Sequence, residues 1–369
     1  MRLRLKALHK TALDGSSFIR DLDLEIKKKE FVSLIGPYGS GKSTVLRLIA
    51  GLDELQSGEI YIDDVRVDEL EPRERHVAMI FENSTLMPDM TVQENIAFRM
   101  KQQKIPKEER LALVRETAEL LEIEGLLKKK PRALSLLETQ KVILARAMAG
   151  RPRVLLLDDP YAHLPEKVKL EMHFVISLLF QKMDTTIVCS TNDPMTAMAL
   201  GTMIVVMDEG RVVQADAPME IYDHPGTLFA AELIGQPPIN VWEAKLKMHG
   251  AELALCFGKT KLALPAGTQA RLAEAGYTDR EVIAAIRPEN IDDSESAAEA
   301  MKGSRMKARV LVRQMLGAVA YLDLKSDDVR MVAAVNPRTA AAPGQKIKVV
   351  LDPQKLLLFD VESKELLTK

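Results

Sequence analysis

Apolar positions in the first half of the chain come as short unbroken runs separated by stretches with helical spacing. The first strong pattern is EFVSLIGPYGSGKSTVLRLIAGL, an apolar run, a glycine-bearing loop, then Val45, Leu46, Leu48 and Ile49. It predicts strand, loop and helix. A second run, Val154 to Leu157 in RVLLLDDPYAHLP, ends on Asp158. Near-continuous apolar strands separated by helical segments indicate a parallel sheet covered on both faces, so the core is read as α/β. Between these runs, KEERLALVRETAELLE places Leu111, Val114, Ala118 and Leu121 on one face of an amphipathic helix, within a helical subdomain over about 83–133. At IGQPPINVW a Gly-Pro-Pro break ends this pattern. Beyond it VIAAIRPENI, KARVLVRQML, AVAYLDL, VRMVAAV and KIKVVLDPQKLLLFD are β-type runs divided by Pro, Gly, Asp and Ser. The expectation is an α/β domain over 1–235 and a small β-barrel domain over 236–369.

Composition narrows the function classes. The chain has 369 residues, room for two or three domains with cores of their own. Its 51 basic and 53 acidic residues give a net charge of -2, which offers no electrostatic case for nucleic acid as a partner. Cys189 and Cys256 are far apart and in no metal-ligand spacing, which argues against a disulfide framework or zinc site and fits a reducing cytoplasm. The start, MRLRLKALHK, lacks the apolar core of a signal peptide, and no run approaches the ~20 apolar residues of a membrane span.

The loop Gly36, Pro37, Tyr38, Gly39, Ser40, Gly41, Lys42, Ser43, Thr44 matches the phosphate-binding template at every fixed position. Glycines let backbone N–H groups close around phosphates, and the following helix adds the favourable end of its dipole. Lys42 is placed to reach the β and γ phosphates of ATP, and the Ser43 hydroxyl to ligate Mg2+. Asp158, at the end of a buried strand, would hold Mg2+ through water.

Order and spacing of these segments resemble the ATP-binding subunit of an ABC transporter, of the sugar-importer type that energises maltose uptake. The resemblance covers nearly the whole chain and rests on GPYGSGKSTVLRLIAGL, RHVAMIFENSTLMPDMTVQENIAF, KPRALSLLETQKVILARAMAGRPRVLLLDDP, the segment from STNDPMTAMAL to IGQPPIN, and IRPEN. It implies a P-loop nucleotide-binding domain with a helical subdomain and an OB-like regulatory domain. It also implies two ATP molecules sandwiched head to tail between two ATP-binding subunits, transmembrane permease subunits as partners, and, indirectly, an extracytoplasmic solute-binding protein. The location implied is the cytoplasmic face of the membrane, with Leu86, Met87 and Met90 as candidates for the groove that receives the permease.

The departures from that family fall on the hydrolytic parts. Its signature, Leu-Ser-Gly-Gly-Gln, reads Leu134, Ser135, Leu136, Leu137, Glu138 here, leaving Ser135 as the donor to a phosphate bound across the dimer. The family's catalytic glutamate is Asp159, its switch histidine is Asn192, and its loop glutamine is Glu82, a carboxylate able to ligand Mg2+ or to replace the general base. Pro165 replaces an aspartate, and Ala12 stands where an adenine-stacking aromatic is expected. Lys42, Ser43 and Asp158 persist, so the sequence reads as a subunit that binds Mg-ATP, hydrolyses it poorly and pairs with a more competent ATP-binding subunit. A competent homodimeric ATPase and an ATP-dependent regulator outside transport are the alternatives.

Overall fold

A computed structural model describes residues 1–11, 17–250 and 252–368. Ala12 lies outside the described residues. The chain divides into two compact units, Met1–Pro218 and Met219–Lys369.

The first unit is built on a six-stranded sheet in the order Arg211–Asp216, Met203–Asp208, Phe31–Ile35, Thr186–Thr191, Val154–Asp158, Val77–Ile80. All neighbours run parallel except the first pair. Strand alternation explains why these runs are apolar without a break. Phe31, Ile80, Leu155, Leu157 and Ile187 point into one core, shared with the helices Leu136–Met148 and Glu166–Lys182. Val32, Leu34, Leu156, Val188 and Val205 point into the other, shared with the helix Lys42–Ala50. A four-stranded antiparallel sheet, in the order Ser17–Ile26, Leu3–Thr11, Ser57–Ile62, Val65–Arg66, closes that second core with Leu3, Leu5 and Ile60.

The expected helical segment contains the helices Val92–Gln102 and Lys107–Leu120. Thr91 caps the first through a reciprocal box with Glu94. On the second, Val114 and Ala118 are buried as the periodicity predicts, and Leu121 is buried just past its end. Leu86 is part of the core, whereas Met90 lines a groove of about 580 Å³ together with Phe98, Lys101, Lys107 and Arg110.

The second unit holds two five-stranded antiparallel sheets around one core, with Trp242, Leu246, Leu255, Val310 and Leu322 among its members. The division after Pro218 lies upstream of the sequence break at 235/236. Arg287 supplies the physical reason. Its guanidinium is buried, stacks on Tyr222 at 3.7 Å, and donates to the carbonyls of Tyr222 at 2.8 Å and Ile234 at 2.5 Å. The short helices up to Leu233 are thereby tied to the strand Glu281–Ile286 that precedes Arg287. Among the described residues, no helix is long and apolar enough to cross a membrane.

Candidate functional site

Four neighbouring strands end on the same edge of the parallel sheet, and each delivers one part of the site. Phe31–Ile35 leads into the phosphate loop, Thr186–Thr191 into Asn192, Val154–Asp158 into Asp159, and Val77–Ile80 into Phe81 and Glu82. Ligands of open α/β sheets bind outside the carboxyl ends of such strands. Lys42, Ser43, Glu82, Asp158, Asp159 and Asn192 accordingly line one pocket of about 160 Å³. Every catalytic and metal position expected from the sequence is in that group.

The loop has the form that phosphate binding demands. Gly41 has φ +98°, and a Cβ there would lie 2.9 Å from the Phe18 carbonyl oxygen. Gly36 is equally constrained, because a Cβ would fall 2.2 Å from the Met207 carbonyl oxygen. Only glycine fits either place. Lys42 donates to the carbonyls of Gly36 and Pro37, both at 2.8 Å, and to Ser40 Oγ at 3.2 Å. Burial lowers its pKa, while Asp159 and Asp158 pull it back up. A desolvated ammonium held on carbonyl oxygens gains from exchanging them for phosphate oxygens.

Ser43 Oγ donates to Asp158 Oδ1 at 2.7 Å, and Ser190 Oγ donates to the same oxygen at 2.8 Å. A hydroxyl and a carboxylate, both hard oxygen donors, suit Mg2+, which takes few protein ligands and completes its shell with water and substrate phosphates. No cluster of three or more His, Cys, Asp or Glu forms a metal cage among the described residues. Ser43 and Asp158 are thus the residues that would hold the ion. Glu82 lines the same pocket, and its carboxylate is hydrogen-bonded with His163 Nε2 at 2.7 Å.

Asp159 sits in the left-handed backbone region at φ +41°, where an aspartate is tolerated better than most residues. Its N–H donates to Ser190 Oγ at 3.1 Å, and its Oδ2 accepts from Asn192 Nδ2 at 3.2 Å. Asn192 Oδ1 is buried and has no partner among the described residues, so a water donating to it would complete its hydrogen bonding. Behind Asn192, Asp193 is fixed by Lys169 and by Thr196 Oγ1 at 2.7 Å, and it caps the helix Pro194–Leu200. Asn192, Asp159 and Lys169 also line an adjoining cavity of about 230 Å³.

Burial pushes the Asp159 carboxyl above the usual range; the Glu82 charge adds to this and Lys42 opposes it. An acid whose folded pKa exceeds its unfolded value costs stability once ionised. That cost is absent below the unfolded pKa and complete above the folded one. Asp159→Asn is therefore expected to raise the melting temperature more at about pH 7 than at about pH 4. Calorimetry at the two pH values checks this, and an increment independent of pH would point to a cause other than ionisation.

The signature segment lies elsewhere on the unit, at the start of the helix Leu136–Met148. Ser135 is its N-cap, and a reciprocal box forms: Ser135 N–H donates to Glu138 Oε2 at 2.6 Å while Glu138 N–H donates to Ser135 Oγ at 3.3 Å. The Ser135 N–H donated to the Glu138 carboxyl, and after it the Ser135 hydroxyl, hold that carboxyl below the usual range. The two amides are thus used within the helix end, and an anionic carboxylate occupies the place of the family's neutral amide. Leu136 is 45% exposed, whereas Leu137 packs against the core. One leucine is therefore structural and the other faces out.

Three residues escaped the sequence reading. Phe18, an exposed aromatic, lines the same pocket as Lys42 and Ser43. Ser190, two positions before Asn192 on a buried strand, orients both Asp158 and the Asp159 backbone. A serine inside a strand buried along its whole length was the available signal. His163, 74% exposed at the side chain, meets Glu82 from 81 positions away, and no local pattern announces that pair.

The chain matches the ABC transporter family over residues 19–162, the MalK OB fold domain over 235–291 and the TOBE domain over 284–359. It is 36% identical over 361 residues to the oligosaccharides import ATP-binding protein MsmX of Bacillus subtilis, covering 98% of each chain. It is 38% identical over 349 residues to the trehalose/maltose import ATP-binding protein MalK of Thermococcus litoralis, covering 93% of each. The sn-glycerol-3-phosphate import ATP-binding protein UgpC of Yersinia enterocolitica is 34% identical over 98% of each chain. Among solved structures, the dimeric post-hydrolysis state of the ATP-binding cassette MJ0796 bound to ADP and Pi aligns with a TM-score of 0.51 and 30% identity, over 58% of this chain and 98% of that one. With these three domain matches in order along the chain and relatives alike over nearly its whole length, this chain belongs to the MalK-like ATP-binding subunits of ABC importers.

Proposed function

We propose that this subunit binds Mg-ATP firmly and hydrolyses it poorly, in an importer for a carbohydrate or a related polar solute. The observation that carries this reading is the contrast within one pocket. Lys42, Ser43 and Asp158 are all in place, while the catalytic positions hold an aspartate and an asparagine hydrogen-bonded to each other at 3.2 Å. Asp159 is one methylene short of glutamate, and displacement of a catalytic group by ~1 Å costs on the order of a hundredfold in rate. Asn192 supplies no positive charge to the transferred phosphoryl group.

Turnover in the assembled importer then falls to a second, more competent ATP-binding subunit, opposite which this chain holds ATP as a clamp. Both work against permease subunits from the cytoplasmic face of the membrane. The groove of Met90, Phe98, Lys101 and Arg110 suits a permease segment carrying an apolar residue and a carboxylate. An extracytoplasmic binding protein delivers the solute to the permease. The relatives are named for different solutes, which fits a subunit that does not itself select the cargo.

One observation favours a second reading, a competent homodimer. The Glu82–His163 pair places a carboxylate and an imidazole within 2.7 Å of each other beside the nucleotide pocket, the two chemical types that positions 159 and 192 no longer supply in the family's form. Phosphate release measured for the purified chain alone, and for the complex that copurifies with its permease, separates the readings. Slow release alone with faster release in a complex containing a second ATP-binding chain is expected; robust turnover alone would sink the clamp.

A further inference from the structure

We propose that Phe18 is the stacking platform for the nucleotide base, in place of an aromatic at the end of the preceding strand. This rests on the nucleotide-binding reading above and deepens it. The carrying observation is a break in the strand register. Lys10 pairs with Ile19 and Thr11 pairs with Ser17, so one step on the first strand spans two on the second, and Phe18 is the extra residue of a β-bulge. Bulges turn a side chain out of the regular alternation and gather beside binding sites.

Its neighbour Ile19 is fully buried, whereas Phe18 is 42% exposed. The backbone beneath it has little freedom. Its carbonyl oxygen fills the space that a Cβ would need at Gly41 and at Gly210, and the Arg20 N–H donates to the Gly210 carbonyl at 3.0 Å. The backbone is therefore fixed at the rim of the phosphate loop, and the side chain lines one pocket with Gly41, Lys42, Ser43 and Thr44. Amides at the helix end of that loop take phosphates, which leaves the base to the surface beyond them. Tyr38, the other exposed aromatic of the loop, lines this pocket too but is shared with the adjoining cavity of Tyr161 and Lys169, which Phe18 does not line. Phe18 is left as the flat apolar surface for a base.

Stacking on an aromatic ring is worth about tenfold or more in affinity and is indifferent to the edge of the base. The test titrates Mg-ATP, Mg-GTP and magnesium tripolyphosphate, which has no base, into the full-length chain and into its Phe18→Ala and Phe18→Trp variants. Phe18→Ala is expected to weaken ATP and GTP by about tenfold, to leave tripolyphosphate within about twofold, and to be reversed by Phe18→Trp. Unchanged ATP affinity in Phe18→Ala overturns the assignment. So does an equal loss of ATP and tripolyphosphate, which would place the damage in the loop. If the unaltered chain binds neither ligand, the nucleotide-binding reading fails and takes the platform with it; if it binds tripolyphosphate as tightly as ATP, only the platform fails.

Discussion

Changing Asp159 to Glu and Asn192 to His together is expected to raise ATP turnover of the purified chain alone by on the order of a hundredfold. Glutamate extends the carboxylate by one methylene from a strand end that is already well placed. The Asp159 N–H is held by Ser190, and the strand itself is locked between Thr186–Thr191 and Val77–Ile80. Histidine restores a donor that can carry charge against the developing phosphoryl anion. Glutamate tolerates the φ of +41° at this position less readily than aspartate, so a small fall in melting temperature should accompany the gain. Phosphate release and ATP affinity are measured in parallel. Unchanged turnover with unchanged affinity would show that these two positions are not what limits hydrolysis. The leucine signature would then be the next suspect, because its capping box and the Glu138 carboxylate stand in every copy of this chain.

Lys42→Ala produces the largest expected loss, about a hundredfold in Mg-ATP affinity. Hydrogen bonds to charged groups contribute ~1.5–3 kcal/mol each, and this ammonium is buried against carbonyl oxygens that phosphate oxygens would replace. Lys42→Arg is not expected to rescue binding. The planar guanidinium is larger and does not match a pocket built from two carbonyls and the Ser40 hydroxyl at 2.8–3.2 Å. Equilibrium titration checks both variants, and melting temperatures without nucleotide separate lost binding from lost folding. Retained ATP affinity in Lys42→Ala would remove the charge argument from the site.

The phosphate loop was legible because it is local. Nine consecutive residues, from the end of a strand into the first turn of a helix, specify both the glycine conformations and the direction of Lys42. Asp158 was legible for a related reason, since a buried apolar run must end where its first carboxylate meets solvent. The departures at Leu136, Leu137, Asp159 and Asn192 were visible as residue types against a known order of motifs. What Glu138 does was not visible. Its carboxylate closes the helix end on Ser135, because an N-terminal turn offers free N–H groups three residues away.

The sequence by itself determined the strands, the loop, the carboxylate at the strand end and the change to β-type runs near Gly235. Each follows from side-chain periodicity or from glycine's freedom over a few neighbouring residues. Only the tertiary structure decided which of those pieces meet. The lateral order of four strands puts Gly36, Asn192, Asp159 and Glu82 along one sheet edge, and the Glu82–His163 contact closes across it. A one-residue slip in pairing turns Phe18 to the pocket while Ile19 stays in the core. Strand order and register depend on contacts between residues distant in sequence, which local periodicity does not encode.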